Sequence, residues 1–174
     1  MITSNQAFDA VLSHKFNLSV EVVSLENSLS RVLSQNILAD RDQPSFNRVM
    51  MDGIAINSKY LSSTKKFKIL KTISAGTQLD TLPEGPICFE IMTGAALPLN
   101  ADMVIRYEDL KIENSVAELM IDINLLSKNI HAMASDYKKD DVVLKAGTKI
   151  KPSTVAILAS VGASKVAVYK MPKI

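Results

Sequence analysis

The stretch that most constrains this chain is Asp40 to Ile56, DRDQPSFNRVMMDGIAI. A polar segment broken by Pro44 runs into an Asp52-Gly53 pair with apolar residues on both sides. Asp-Gly between apolar runs is a strong turn signal, because glycine takes positive φ without steric cost and aspartate tolerates it better than most residues. The pattern predicts a sharp reversal with the Asp52 carboxylate projecting from it. Most such pairs are turns and nothing more, but a projecting acid is also a natural start for a site, and the residues alone leave both readings open.

The elements around this stretch are short. Thr3 or Ser4 can cap a helix that puts Ala7, Phe8, Val11 and Leu12 on one face and ends near Phe16-Asn17. Residues 20–25 read as a β-branched strand, 26–30 as a helical turn, and 31–39 as a strand leading away. Residues 67–73, 87–92, 103–107 and 116–123 are further strand candidates, punctuated by Gly- and Pro-bearing turns. Strands at this spacing predict a small barrel or folded sheet. Residues 142–144, the Ala146-Gly147-Thr148 turn and Ile150 read as a hairpin. Ser153 then caps a helix whose apolar stripe stops at Gly162, and residues 166–169 form a last strand.

Composition narrows the function. The chain has 174 residues, enough for one sizeable core or two small domains, and 47% of them are hydrophobic, so it folds. Twenty Lys and Arg against 18 Asp and Glu leave no concentrated basic face, which argues against nucleic acid as a partner. The one basic block, Lys65-Lys66-Phe67-Lys68, reads as a solvated strand edge. Cys88 is the only cysteine; this excludes an intrachain disulfide and a cysteine-rich zinc site and suits a reducing cytoplasm. On its apolar strand Cys88 reads as buried rather than reactive. No apolar run approaches the roughly 18 residues that span a bilayer, so no membrane partner is expected. The eight methionines, Met50 and Met51 included, read as core filler, and His14 and His131 as surface residues.

Several separated patches share an order. Pro44, Phe46, Asn47, Val49, Met51, Asp52, Gly53, Ile54 and Ala55 follow a P-x-F-D-x-S-x-M-D-G-Y-A pattern, with departures at Asn47, Val49 and Ile54. Ser74-Ala75-Gly76 comes next. Ile91 to Ala95, with Pro98, Ala101, Asp102 and Val104, then follows I-x-T-G-A-x-x-P-x-G-A-D-x-V, with Asn100 in place of a glycine. Glu108, and the run from Ala146-Gly147-Thr148 to Gly162, complete five ordered patches. Together they resemble the molybdopterin molybdenumtransferase family, which includes MoeA and the E domain of gephyrin.

The resemblance implies a β-rich α+β fold like the MoeA N-terminal region. Residues 1–42 and 138–174 would form an elongated discontinuous domain, with a small β-barrel-like domain, 43–137, inserted. It implies the N-terminal portion of an enzyme that inserts molybdate into adenylylated molybdopterin in molybdenum cofactor biosynthesis, assisted by Mg²⁺. Asp52 aligns with a catalytic aspartate that can hold the metal. Thr93 aligns with a functional threonine whose hydroxyl contacts an anionic ligand, helped by the Gly94 N–H. Asp136 and Ser135 fall on the last acid and the preceding Glu of an R-x-x-G-E-D motif and would contact the cofactor. That motif is eroded: His131 replaces its Arg and Ala134 its Gly, while Asn47, Val49 and Ile54 remove a carboxylate, a hydroxyl and a phenol. The alternative is therefore a divergent, non-catalytic dimerisation or scaffolding module of the same fold. The family's S-T-G-D-E-L and G-G-x-S patterns, from its pterin-binding domain, do not occur in these residues. The chain reads as the first two domains of a longer protein or as a natural truncation. Since the family site is shared across a homodimer, the chain alone is expected to hold half a site and to be inactive.

Overall fold

The structure, a computed structural model, describes residues 2–13 and 18–172. Helix α1 (Ser4–Ser13) and strand β1 (Val20–Ser24) lead into two two-residue strands, β2 (Ile37–Leu38) and β3 (Arg48–Val49). Then follow β4 (Gly53–Ile56), β5 (Lys66–Ile73), β6 (Ile87–Ile91), β7 (Met103–Arg106), β8 (Leu110–Glu113) and β9 (Val116–Leu119). β10 (Ile130–His131), β11 (Val142–Leu144), α2 (Pro152–Ser160) and β12 (Lys165–Tyr169) complete the order. The class is β-rich α+β, as expected. The chain divides into two compact units, one discontinuous (Met1–Asp40 with Asp140–Ile174) and one continuous (Arg41–Lys139).

In the discontinuous unit β1 pairs antiparallel with β12, and β2 with β11. Leu33, Ile37, Ile150, Leu158, Val161, Val166 and Val168 form its core. Helix α2 opens on Pro152, with Lys151 rather than the expected Ser153 at the cap. Proline suits that first position because its fixed φ is helical and the N–H it lacks would have had no partner. Gly162, at φ +72°, follows the helix end as expected. The strand expected over 31–39 breaks into bridges at Val32 and Leu33 and the short β2, because the segment changes partner as it passes. The expected hairpin is absent: β11 pairs with β2, and the Ile150 N–H donates to the Arg31 carbonyl at 2.8 Å. Helix α1 buries no residue, leaving Phe8 64% and Val11 71% exposed. Its expected end near Phe16-Asn17, and His14, lie outside the described residues.

The continuous unit is built on a six-stranded mixed sheet in the order β7-β4-β6-β5-β9-β8, with the β3–β10 pair beside it. β4 is buried throughout: Ile54 and Ile56 join one hydrophobic cluster around Phe67 and Ile105, and Ala55 joins another around Phe89 and Ile91. Each fully buried large side chain contributes roughly 1.5–3 kcal/mol. β5 lies inside the sheet, so the basic block is not an edge; Lys66 Nζ reaches Glu118 Oε2 on β9 at 3.3 Å. The β8–β9 hairpin turns at Asn114-Ser115, both at positive φ, and the sequence reading missed β8. Cys88 is fully buried, and desolvation, with Glu90 second, pushes its thiol up to about 12. Met50 and Met51 are not core filler: they are 53% and 42% exposed, in the crossing between β3 and β4, where Val49 and Ile54 take the core positions instead.

Gly53 also differs from expectation. The chain does bend at Met51-Asp52, but Gly53 is the first residue of β4 and not one of the positive-φ glycines. It pairs with Ile91 on one side and Arg106 on the other. A Cβ there would stand 1.9 Å from the Ile105 carbonyl oxygen. Close approach of the β7 backbone, not turn geometry, requires glycine at this position.

Candidate functional site

Asp52 enters the site from the bend before β4, and Thr93 from the turn after β6. The Gly53↔Ile91 register brings the two strand ends together. Asp52 Oδ1 accepts hydrogen bonds from the Thr93 N–H at 2.6 Å and the Thr93 hydroxyl at 2.7 Å. The Asp52 carbonyl accepts the Tyr107 N–H at 3.2 Å. The Thr93 backbone bond, and then the hydroxyl bond, hold the Asp52 carboxyl below the usual carboxylate range. The site thus presents an exposed, ionised carboxylate in a fixed orientation.

The same geometry sets the contacts of Thr93 and Gly94. The Thr93 hydroxyl donates to Asp52 Oδ1. Gly94, at φ +86°, donates its N–H to the Val49 carbonyl at 2.9 Å, so that N–H shapes the loop. Sequence reasoning missed Glu90, Thr72 and Tyr107. Thr72 Oγ1 donates to Glu90 Oε2 at 2.6 Å across the β5–β6 pair. Burial, followed by a hydrogen bond to Glu90 and the nearby Glu90 and Asp52 charges, pushes the Tyr107 phenol up to about 12. Ile54, where the family pattern has a phenol, is fully buried. A lone acid, Glu90, inside the apolar run ICFEIM was the available signal.

Asp136 and Ser135 lie in a different loop, after β10. Asp136 Oδ1 meets His131 Nε2 at 2.9 Å, and His131 Nδ1 meets Arg48 Nη2 at 3.0 Å. Ser135 donates its N–H to the Ala132 carbonyl at 3.2 Å, and Ala134 adopts φ +61°. Asn47 Oδ1 caps the Met133 N–H at 2.9 Å, and Val49 is core. Asp52 and Thr93, with Gly94 in the adjoining turn, are thus gathered into one constellation, and His131 and Asp136 into another with Arg48, while the Ser135 N–H bonds within its own turn. Among the described residues no three His, Cys, Asp or Glu side chains cluster to hold a metal.

The match to known proteins covers nearly all of the chain. Residues 2–162 match the MoeA N-terminal region (domain I and II). The chain belongs to this family. It is 36% identical over its whole length to a molybdopterin molybdenumtransferase of a Synechocystis sp., of which it covers 45%. It is 31% identical to the molybdopterin molybdenumtransferase of Staphylococcus aureus strain Mu50, covering 42% of that protein. The crystal structure of a molybdopterin biosynthesis MoeA protein from Pyrococcus horikoshii OT3 superposes with a TM-score of 0.90 at 26% identity, over 99% of this chain and 47% of that one. The chain therefore spans less than half the length of these relatives and corresponds to their MoeA N-terminal region. Within that frame, Val49 and Ile54 exchange the pattern's polar side chains for core packing, and Asn47 exchanges its acid for a loop cap. Among the described residues no helix is long and apolar enough to cross a membrane.

Proposed function

We propose that this chain is the N-terminal part of a molybdopterin molybdenumtransferase and contributes, with the rest of such a protein, to inserting molybdate into adenylylated molybdopterin in molybdenum cofactor biosynthesis. The observation that carries this reading is the pair of Thr93 hydrogen bonds on one oxygen of Asp52. They keep the carboxylate charged and aimed while its other oxygen remains for a ligand. Asp52 is the catalytic group, and Thr93 sets its orientation. Gly94 forms the turn that delivers Thr93, and Asp136 and Ser135 belong to a second contact region for the cofactor. Mg²⁺, when bound, would be held by Asp52 and would neutralise phosphate charge; a single carboxylate suits a cation that keeps most of its water and phosphate ligands. The chain's own residues fix a carboxylate and shield its inner oxygen, and the remaining groups come from outside it.

A homodimer in the cytoplasm completes the proposal. Helix α1 supports it, since Phe8, Val11 and Leu12 form an apolar face that nothing in its own unit buries. A second reading, a non-catalytic dimerisation or scaffolding module, draws support from Val49 and Ile54, where side-chain chemistry has given way to packing.

The test is a molybdate-insertion assay on the longest natural reading frame containing this chain, with adenylylated molybdopterin and Mg²⁺. Asp52→Ala is expected to lose activity by about 10²-fold or more. A wild type that folds, dimerises and inserts no molybdate would favour the module.

A further inference from the structure

The eroded motif has lost its guanidinium at position 131, yet the structure brings another to the same place. β3 and β10 pair antiparallel with Arg48 directly opposite His131. Directly opposed residues share a face of the ladder and their side chains meet. The neighbouring pair, Val49 and Ile130, packs into the core, so Arg48 and His131 lie on the other face. The Arg48 backbone is held from both sides, by His131 and by a bridge to Ala96 in the loop that carries Thr93.

The chemistry of the three side chains assigns the protons. A guanidinium can only donate, so the His131 Nδ1 at 3.0 Å from Arg48 Nη2 is the acceptor. The imidazole proton is then on Nε2, and it is donated to Asp136 Oδ1 at 2.9 Å. His131 is neutral in this arrangement. It ties a permanent cation to an anion. Arg48 is exposed and uses one of its five N–H groups on His131, leaving a fork suited to a tetrahedral oxyanion.

We infer that Arg48, positioned by neutral His131 and Asp136, is the residue with which this chain contacts a phosphate group, replacing from the opposite strand the guanidinium absent at position 131. The inference rests on the proposed function only for the phosphate's place in a reaction; the binding is a property of this chain. The phosphate is either free or part of a nucleotide ester. His131 acts through Arg48 and is a positioning residue, held in turn by Asp136.

The experiment is a ¹H–¹⁵N NMR titration of the 174-residue chain with inorganic phosphate and, separately, with adenosine monophosphate, following the Arg48 Nε–H and the His131 ring nitrogens. Saturable shifts at Arg48 are expected, with Nδ1 as the unprotonated ring nitrogen before ligand is added. Tighter binding of the monophosphate would identify the ester as the source, and equal binding the free ion. Arg48→Gln should weaken binding about tenfold. Arg48→Lys should restore part of it, and Arg48→Gln combined with His131→Arg should recover most of it. Arg48→Gln binding like wild type, no saturable shift in wild type, or a proton on Nδ1 would each overturn the inference. The activity assay separates the two proposals: full-length protein sensitive to Asp52→Ala and indifferent to Arg48→Gln overturns this one alone. Phosphate binding without molybdate insertion overturns only the other.

Discussion

Asp52 and Asp136 are both exposed carboxylates fixed by a neighbour, but they are fixed in different ways. Asp52 takes two hydrogen bonds from one residue, Thr93, and the strand that follows it is locked against β7 through Gly53. Asp136 takes its hydrogen bond from an imidazole, which is tied in turn to Arg48 on another strand. The first region keeps the Met-Asp-Gly and Thr-Gly-Ala of the family pattern. The second replaces most of its motif and rebuilds a charged cluster from residues far apart in sequence. Where a group is held by backbone donors at a sheet end, the side chains that support it have little freedom to change. Where a charge need only reach a place, several positions can supply it.

The sharpest way to break this contrast is Gly53→Ala. If backbone approach at β7 is what anchors the Asp52 region, the added methyl must push Ile105 away, at a cost of about 3–5 kcal/mol in urea unfolding. Gly147→Ala is the control. Gly147 is at φ +85° with open space around it, so only the left-handed backbone is penalised, by about 1 kcal/mol. Equal costs at the two glycines would remove the argument for a locked strand.

Thr93→Val sharpens the comparison from the site side. It deletes the hydroxyl bond and keeps the backbone one, so the Asp52 carboxyl should move back toward the usual carboxylate range, as read by ¹³C titration, and molybdate insertion should fall about tenfold. The sign of the stability effect follows from linkage. The folded carboxyl is held lower than the unfolded one, so its contribution is complete above the unfolded value and is lost as pH falls through the folded value. Thr93→Val should narrow that acid window and leave neutral stability less affected than Gly53→Ala. An unchanged Asp52 titration would mean the hydroxyl bond does not hold the carboxylate.

The smallest effect is expected in the other region. Ala134 stands where the family motif has glycine and still adopts φ +61°, so the backbone has kept a shape the side chain disfavours. Ala134→Gly should relieve this strain, partly offset by the greater freedom of the unfolded chain, and raise stability by about 0.5–1 kcal/mol in chemical denaturation. A loss of stability would mean that the loop depends on the methyl.

Much of the fold was legible because it is local. β5, β6, β7 and β12 announce themselves as β-branched or alternating runs, α2 as an apolar stripe closed by Gly162, and Cys88 as a member of an apolar strand. Asp52 was legible as an acid beside a bend. Its partner was legible only through the resemblance, because Thr93 is 41 residues away and nothing in its neighbourhood marks it as a donor to a carboxylate.

The sequence by itself determined the class of fold, the family and the positions of most strands, since these depend on residue type, spacing and order along the chain. Tertiary structure alone decided why residue 53 is glycine, which carboxylate Thr93 holds, and that Arg48 faces His131. Those facts depend on what another strand brings within a few ångströms, and for Arg48 and His131 that strand lies 83 residues away. Register, which no local pattern records, turned an arginine with no sequence signal into the cation beside the eroded motif.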